Sequence, residues 1–393
     1  MAGVRLSTVV REWTRIGLTG FGGPPAHIAL LRPLVTGKLA VMDPGEFQDA
    51  NAACGLLPGP ASTQMAIFCA YRAAGPWGAV LGGLGFILPA VILIVALSVL
   101  FLGSHPPVWV RGAGAGAGAA VPAVALAAAH GFLRPSWTAL GPDRGRRLRW
   151  ASYLGIGVAA TVAFPSLVVV ALLGCGVGEA VLRRPVGPAH GGRRAVPRGP
   201  LSVALLPGVI SAGGLRSSGL GALAWTALKV GALSFGGGFV IVPLMQGDAV
   251  HVHHWMTQAQ FLNAVALGQV TPGPVVATIA AVGYAAHGIV GGLIAAAVAF
   301  LPSFAFVLLG GRRFAALRAN ATARAFLDGA GPAAIGAILG VAVLLARGLG
   351  QSWQPAVLAA AVTAIFLARR GVVSVLLTGA IVGVALALSG VTP

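Results

Sequence analysis

Arg15-Ile-Gly-Leu-Thr-Gly-Phe-Gly-Gly-Pro24 returns 214 residues later as Lys229-Val-Gly-Ala-Leu-Ser-Phe-Gly-Gly-Gly238. At the same offset, Leu57-Pro-Gly-Pro60 returns as Thr271-Pro-Gly-Pro274. Tyr71, Gly75 and Pro89 match Tyr284, Gly288 and Pro302 at an offset of 213, so one deletion between Pro60 and Tyr71 accounts for the register. Two halves on one plan, each with helix-breaking glycines and prolines inside apolar stretches, form the sequence pattern of a membrane transporter.

Composition sets the class. The 393 residues are 57% hydrophobic and 9% charged, with a mean hydropathy of +0.90. Soluble domains carry about a quarter of their residues as charges, so this chain has too few polar residues to cover a soluble surface. The charge-free runs 73–110, 112–133, 230–247, 288–311 and 371–393 are at or near the ~17–25 residues of a spanning helix. An all-α polytopic membrane protein follows. The formal charge of +18 comes from 26 Lys+Arg against 8 Asp+Glu. The arginines sit in short loops, as cytoplasmic loops require. The stretch Arg183–Arg198 is basic and aromatic-poor, which suits anionic lipid headgroups and lacks the aromatic interleaving of a nucleic-acid binder. No nucleic acid is expected as a partner. Cys54, Cys69 and Cys175 lie in apolar surroundings without CxxC spacing, so no structural disulfide is expected. No cleavable signal precedes Trp13, and the first span is expected to insert itself.

Spans are expected near 13–34, 50–70, 77–102, 112–132, 150–164 and 166–182, then near 219–245, 261–286, 289–310, 325–346, 352–368 and 371–390. The chain thus divides into a first repeat (1–182), a basic linker with a connecting helix near 201–215 (183–218), and a second repeat (219–393). Loop charges set orientation. Loop 133–149 carries Arg134, Arg144, Arg146, Arg147 and Arg149, and its second-half counterpart only Arg347. Loop 103–111 carries only Arg111, and its counterpart carries Arg312, Arg313, Arg318 and Arg324. The basic loop switches position, so the positive-inside rule predicts two inverted-topology repeats with discontinuous helices, about 13 transmembrane helices (range about 11–13), with the N-terminus cytoplasmic.

The breaks carry the chemistry. Phe21-Gly22-Gly23-Pro24-Pro25 cannot continue a regular helix. Broken backbone in lipid is tolerated only against protein or a wet cavity, and a helix that restarts after Pro24 presents an N-terminus suited to anions. Gly236-Gly237-Gly238 offers the same in the second half. Pro58-Gly59-Pro60 and Pro272-Gly273-Pro274 are two further breaks, followed by Ser62, Thr63 and Gln64, and by Thr278. Arg15 and Lys229 are repeat-equivalent and lie six residues before the Phe of each FGG, about 9 Å of helix. Buried cations are costly and mark function by default. The competing reading is snorkelling to the headgroups, stronger for Arg15 than for Lys229. Asp49 and Asp328 are candidate proton carriers, set against a reading as surface acids at helix ends. Asn263 occupies the repeat position of Asp49. His251-Val-His253-His254 lacks a second ligand cluster, and no metal site is expected. Ser62 and His27 could serve as nucleophile and base only if the fold joined them, and the sequence does not. Gly112-Ala-Gly-Ala-Gly-Ala-Gly118 reads as a close helix approach.

RIGLTGFGGPPAHIALL, then GLLPGPASTQ and YRAAGPWGAVLGGLGFILP, resembles the first domain of the chromate ion transporter family. KVGALSFGGGFVIVPLM, then FLNAVALGQVTPGP and AFLPS, looks like its second domain. The resemblance spans most of the chain in the long, two-domain form. It is weakest over 133–215 and the last forty residues. It implies gradient-dependent efflux of chromate, a tetrahedral dianion similar to sulfate, by a duplicated, inverted fold. The motif positions carried over are Arg15, Phe21, Gly22, Gly23, Pro24, Pro58, Gly59, Pro60 and Gln64, with Lys229, Phe235, Gly236, Gly237, Pro272, Gly273 and Pro274. Family members often carry glutamine three residues before the PGP. Gln269 fits, whereas the first half has Gly55.

The expected protein is therefore a multi-pass secondary transporter of the cell membrane. It would export chromate from a mid-membrane site to which Thr63, Gln64, Gln269 and Thr271 add hydrogen bonds. Alternatives are a sulfate or other oxyanion carrier working by uptake or exchange, an intramembrane enzyme, and an anion channel. No cofactor or ATP is implied, since no GxxxxGK[ST] loop occurs. The expected partners are the oxyanion, membrane lipid and at most a second copy of the chain, as a homodimer.

Overall fold

The computed structural model describes residues 4–56, 59–103, 105–183, 219–234, 238–310 and 320–391. The expected connecting helix near 201–215 lies outside them. The described residues form fourteen α-helices and no strand. The first seven are α1 (Leu6–Thr19), α2 (Pro24–Pro33, prolonged by a π turn over Leu34–Lys38), α3 (Pro44–Leu56), α4 (Ala61–Phe101), α5 (Val108–Thr138), α6 (Arg144–Ala163) and α7 (Val168–Leu182). The other seven follow in the same order: α8 (Leu220–Ala232), α9 (Val242–Gln246, ending in a π turn over Gly247–Val252), α10 (Gln258–Val270), α11 (Ile279–Gly310), α12 (Ala321–Arg347), α13 (Gln354–Phe366) and α14 (Val372–Leu388).

The four spans expected at 13–34, 50–70, 219–245 and 261–286 do not run through. Each folds back on itself within the expected span. In α1–α2, Lys38 Nζ lies 2.8 Å from Glu12 Oε1. Arg72 of α4 pairs with Glu46 of α3 at 2.5 Å. Lys229 of α8 pairs with Asp248 in the turn after α9 at 2.5 Å. Gly268 of α10 touches Thr278, just before α11. The physical reason is length and freed backbone. α1 has 14 residues, or about 21 Å, short of the ~30 Å hydrocarbon core. Glycine and proline then let the chain reverse where a through helix would continue.

A second reversal lies inside α4. Gly75 takes φ 66° and ψ −157°, a region essentially reserved for glycine. A Cβ on Gly78 would stand 2.4 Å from the Ala70 carbonyl oxygen, whereas eight residues of straight helix separate atoms by about 12 Å. The chain therefore turns back after residue 73 and leaves a long arm over 76–101. Gly288 repeats the turn in α11, with φ 63° and ψ −154°, and Gly283 meets the Gly291 carbonyl there. The long arms 76–101 and 289–310 run antiparallel, with Gly83 against Phe304 and Gly292 against Val95.

Four stretches among the described residues are long and apolar enough to cross a bilayer: Ala61–Phe101, Val108–Thr138, Val275–Gly310 and Ala321–Arg347. The long arms of the first and third still measure about 39 and 33 Å. Ile92, Leu301 and Ile381 on the outside are more than half exposed, as lipid-facing side chains are. The protein is all-α and embedded in the membrane.

The last helices are exchanged between halves. α6 and α7 pack on α12, and α13 and α14 pack on α5. The Gly-Ala run works as expected: a Cβ on Gly116 would stand 2.0 Å from the Gly379 oxygen, and one on Gly383 would stand 2.0 Å from the Gly112 oxygen. Backbone cannot yield as a side chain does. Gly383→Val is expected to destabilise the purified protein by about 3 kcal/mol, read as detergent-solubilised unfolding. Gly155→Ala, whose Cβ would meet nothing within 4 Å, should stay within about 0.5 kcal/mol of the parent.

Candidate functional site

The tips of the re-entrant hairpins converge. Gly273 N–H donates to the Gly20 carbonyl at 3.0 Å, which joins the FGG tip of the first half to the PGP tip of the second. Gly59 approaches the Gly231 carbonyl and the Ser303 hydroxyl in the repeat-equivalent place. Between the tips lies a void of about 10 Å³ lined by Pro24 and Gly238, Pro60 and Pro274, and Ser62, Val275 and Val276. The first two pairs are repeat equivalents, so the void sits where the two halves meet.

Beside it opens a cavity of about 250 Å³. Gly22, Gly23, Pro24 and Pro25 form one wall, and Gly268, Gln269, Thr271, Gly273 and Val275 the facing one. Ala127, Ala128, Gly131 and Phe132 of α5 supply a side wall. Pro24 and Pro25 carry no N–H, so the backbone donors of the first wall belong to Gly22 and Gly23. Gln269 Nε2 is buried and has no hydrogen-bond partner among the described residues. Such an orphan donor is rare unless a missing ligand or water completes it.

The two halves are not equally open here. Ala127, Ala128 and Phe132 are partly exposed and Gly131 is exposed. Their counterparts in α12, counted from the helix-internal Pro122 and Pro332, are Ala337, Ile338, Ala342 and Val341, and all four are buried.

The expected residues separate into groups. Gly22, Gly23, Pro24, Gln269, Thr271 and Gly273 line the cavity, and Pro60 and Pro274 line the central void. Thr63 and Gln64 are buried on the other hairpin, where the Gln64 amide packs over Gly59. Pro272 is buried at its tip and Phe21 is 45% exposed; neither lines the cavity. Pro58, Phe235, Gly236 and Gly237 lie outside the described residues. Arg15 and Lys229 do not line the cavity either. Arg15 reaches Glu12 at 3.1 Å, and Glu12, itself 3% exposed, is also approached by Arg11 and Lys38. Lys229 shares Asp248 with the Thr226 hydroxyl, which donates at 2.9 Å. Asp328 pairs with Arg183 at 2.6 Å, and Asp49 is exposed on α3, both away from the cavity. Lys229→Ala should therefore cost flux through an orphaned Asp248. Lys229→Ala with Asp248→Ala is expected to return insertion and flux to within about tenfold of the parent, because removing both partners avoids the unpaired charge.

Phe239, Val372 and the α5 wall were not singled out by sequence. The only available signal was the small-residue spacing of Ala127, Ala128 and Gly131. Ser62 and His27 do meet, at 3.1 Å. Ser62 borders the central void of about 10 Å³, room for about one water.

The profile of the chromate transporter family matches residues 7–179 and 221–384. The chain belongs to that family. It is 33% identical over 351 residues to a chromate transport protein of Cupriavidus metallidurans, covering 87% of this chain and 83% of the relative. It is 29% identical to a probable chromate transport protein of Synechococcus elongatus, covering 87% and 85%. An uncharacterized transporter of Methanocaldococcus jannaschii is 27% identical, with 76% and 74% covered. No solved structure matches. The two matched segments flank residues 180–220, so the family's pattern, like the cavity, draws on both halves.

Proposed function

We propose that this chain exports chromate across the cell membrane as a secondary transporter, driven by the membrane potential or the proton gradient. The observation that carries the reading is the cavity between the two tips, with the Gln269 Nε2 donor on its wall lacking a partner among the described residues. A dianion in low dielectric needs such donors, since its burial without partners is prohibitive. Backbone N–H groups of Gly22 and Gly23 and the Gln269 amide supply them, with the Thr271 hydroxyl joining on turning from the Gly268 carbonyl, to which it donates at 3.5 Å. Arg15 and Lys229 contribute to the local field from the hairpin arms rather than by contact. Relatives named chromate transport proteins support chromate over sulfate; sulfate resembles it in shape and charge and serves as competitor.

The two halves are inverted repeats in this reading. The antiparallel long arms and the switch of basic loops support it. Val4 N–H donates to the Ala73 carbonyl, so the N-terminus shares a face with the mouths of the first hairpins. The arginines of 144–149 support a cytoplasmic position for that face. The open α5 wall and the buried α12 counterpart then correspond to an inward-facing state. Exchange of those two conformations would open the other side. Reporter fusions are expected to place 139–143 and 348–353 on opposite faces, and a shared face contradicts the inversion. For the site, a cysteine replacing Gly131 should react with an impermeant maleimide from the cytoplasmic face only. Molybdate, a tetrahedral dianion that does not oxidise thiols, should protect it. Equal labelling from both faces, indifferent to molybdate, would remove the cavity from the transport path.

A further inference from the structure

His27 is the one titratable side chain at the tip junction among the described residues. It is 0% exposed, in the first turns of α2. Its Nε2 lies 3.0 Å from the Gly20 carbonyl and its Nδ1 lies 3.1 Å from Ser62 Oγ, with the Phe86 ring edge-on at 4.9 Å. A carbonyl only accepts, so Nε2 carries the hydrogen and Nδ1 accepts from the serine hydroxyl. Both partners lead to the transport site. The Gly20 oxygen also accepts Gly273 N–H, and Gly273 is cavity wall. Ser62 borders the central void of about 10 Å³, room for about one water, and Pro24 borders both void and cavity.

The fold does not need an imidazole there. The repeat-equivalent residue is Ile241, buried in the same place in the second half. The elements around the ring present Gly20 of the FGG tip, Ser62 of the short arm of α4 and Phe86 of its long arm, none of them charged. The charged groups of the same hairpin, Arg11, Arg15 and Lys38, are gathered on Glu12. Arg32 is exposed at the far end of α2, and Arg72 is held by Glu46 at the mouth of the neighbouring hairpin.

We infer that His27 is the proton site coupled to oxyanion binding, loaded through Ser62 and the central void. The inference rests on the oxyanion-carrier reading above. A hydronium in the void gives a proton to Ser62 Oγ as the hydroxyl passes its own hydrogen to His27 Nδ1; water and an imidazolium remain. The serine then accepts from Nδ1–H, so no polar group is left unpaired. A buried imidazolium is unfavourable beside an empty cavity and favourable beside a dianion. Linkage makes the effect mutual: the anion raises the affinity for the proton and the proton that for the anion. The loaded carrier moves one net negative charge rather than two, which an inside-negative potential still drives outward; of the two driving forces named above, this coupling selects the potential.

The test uses the full chain in proteoliposomes at pH 8 with the potential clamped to zero. Chromate accumulation driven by an imposed pH gradient is compared with chromate–chromate exchange. His27→Gln keeps a donor toward Gly20 but cannot titrate. It is expected to lose pH-driven accumulation by about tenfold or more, at the scale of a coupling free energy, while exchange measured at saturating chromate on both sides stays within about threefold. His27→Asn, which keeps an acceptor toward Ser62, should behave alike. Purified parent protein should take up one proton per chromate bound, and His27→Gln none. Unchanged pH-driven accumulation in the variants overturns the inference. Loss of exchange in both variants does so too, because the imidazole would then be a positioning strut. Absence of exchange in the parent itself would instead sink the carrier reading.

Discussion

Gly273→Ala is expected to lower chromate flux by about 100-fold at equal protein in the membrane. Gly273 sits at φ 105°, and a Cβ there would stand 2.8 Å from the Ala90 Cβ. Backbone strain at such a position costs about 1–3 kcal/mol, and Ala90 lies on the packed long arm of α4 and has little room to give. Relief comes by moving the tip, which breaks the Gly273–Gly20 hydrogen bond and shifts the cavity wall. Together these amount to about 3 kcal/mol, or roughly 100-fold at 1.4 kcal/mol per decade. Gly59→Ala provides the internal comparison. Its φ is 119°, but its Cβ would meet the end of the Gln64 side chain at 2.6 Å, an atom at the end of three rotatable bonds rather than a Cβ fixed to a helix. A loss nearer tenfold is expected, from backbone strain alone. Equal effects at the two positions would show that strain, and not the cavity wall, governs flux. The measurement is initial chromate uptake into everted vesicles, normalised to inserted protein.

Gln269→Leu should separate function from stability. The side chains are similar in size, and the change removes the Nε2 donor that no group among the described residues satisfies. Hydrogen bonds to charged groups contribute about 1.5–3 kcal/mol, so the KM for chromate should rise about 10–150-fold. Stability should stay equal or rise by about 1 kcal/mol, because an unpaired buried amide no longer opposes folding. Concentration-dependent flux and thermal unfolding of the same preparation check both halves of the prediction. A parallel fall in stability would mean that Gln269 is a packing residue whose partner is contributed by the protein in another state.

The breaks were legible because glycine and proline act locally, and because FGG and PGP occur twice at one offset. Their consequence was not legible. A hydropathy pattern cannot distinguish a helix kinked at mid-membrane from one that doubles back, since both bury the same residues over the same length. Gly75 and Gly288 were visible as repeat equivalents, and their dihedral angles, not their spacing, make the turns. The partners of the cations were hidden for the same reason. Lys229 and Asp248 are 19 residues apart, a separation that joins side chains only after a reversal. Glu12 has a neighbour in sequence in Arg11 and one helical turn away in Arg15, yet its 2.8 Å contact is to Lys38. The His27–Ser62 contact bridges two hairpins, so no local pattern could announce it. Gln269 was found because it stands at a motif position, and the α5 wall was missed because alanine and glycine there carry no chemistry of their own.

The central claim is that the tip cavity carries chromate. Chromate flux in everted vesicles, with and without a proton gradient and with excess sulfate, tests it most directly when parent, Gln269→Leu and Gly273→Ala are compared. The account predicts saturable, gradient-dependent uptake by the parent, a raised KM in the first variant and near-background flux in the second. Parent flux no greater than that of empty vesicles, or flux in both variants equal to the parent, would contradict it.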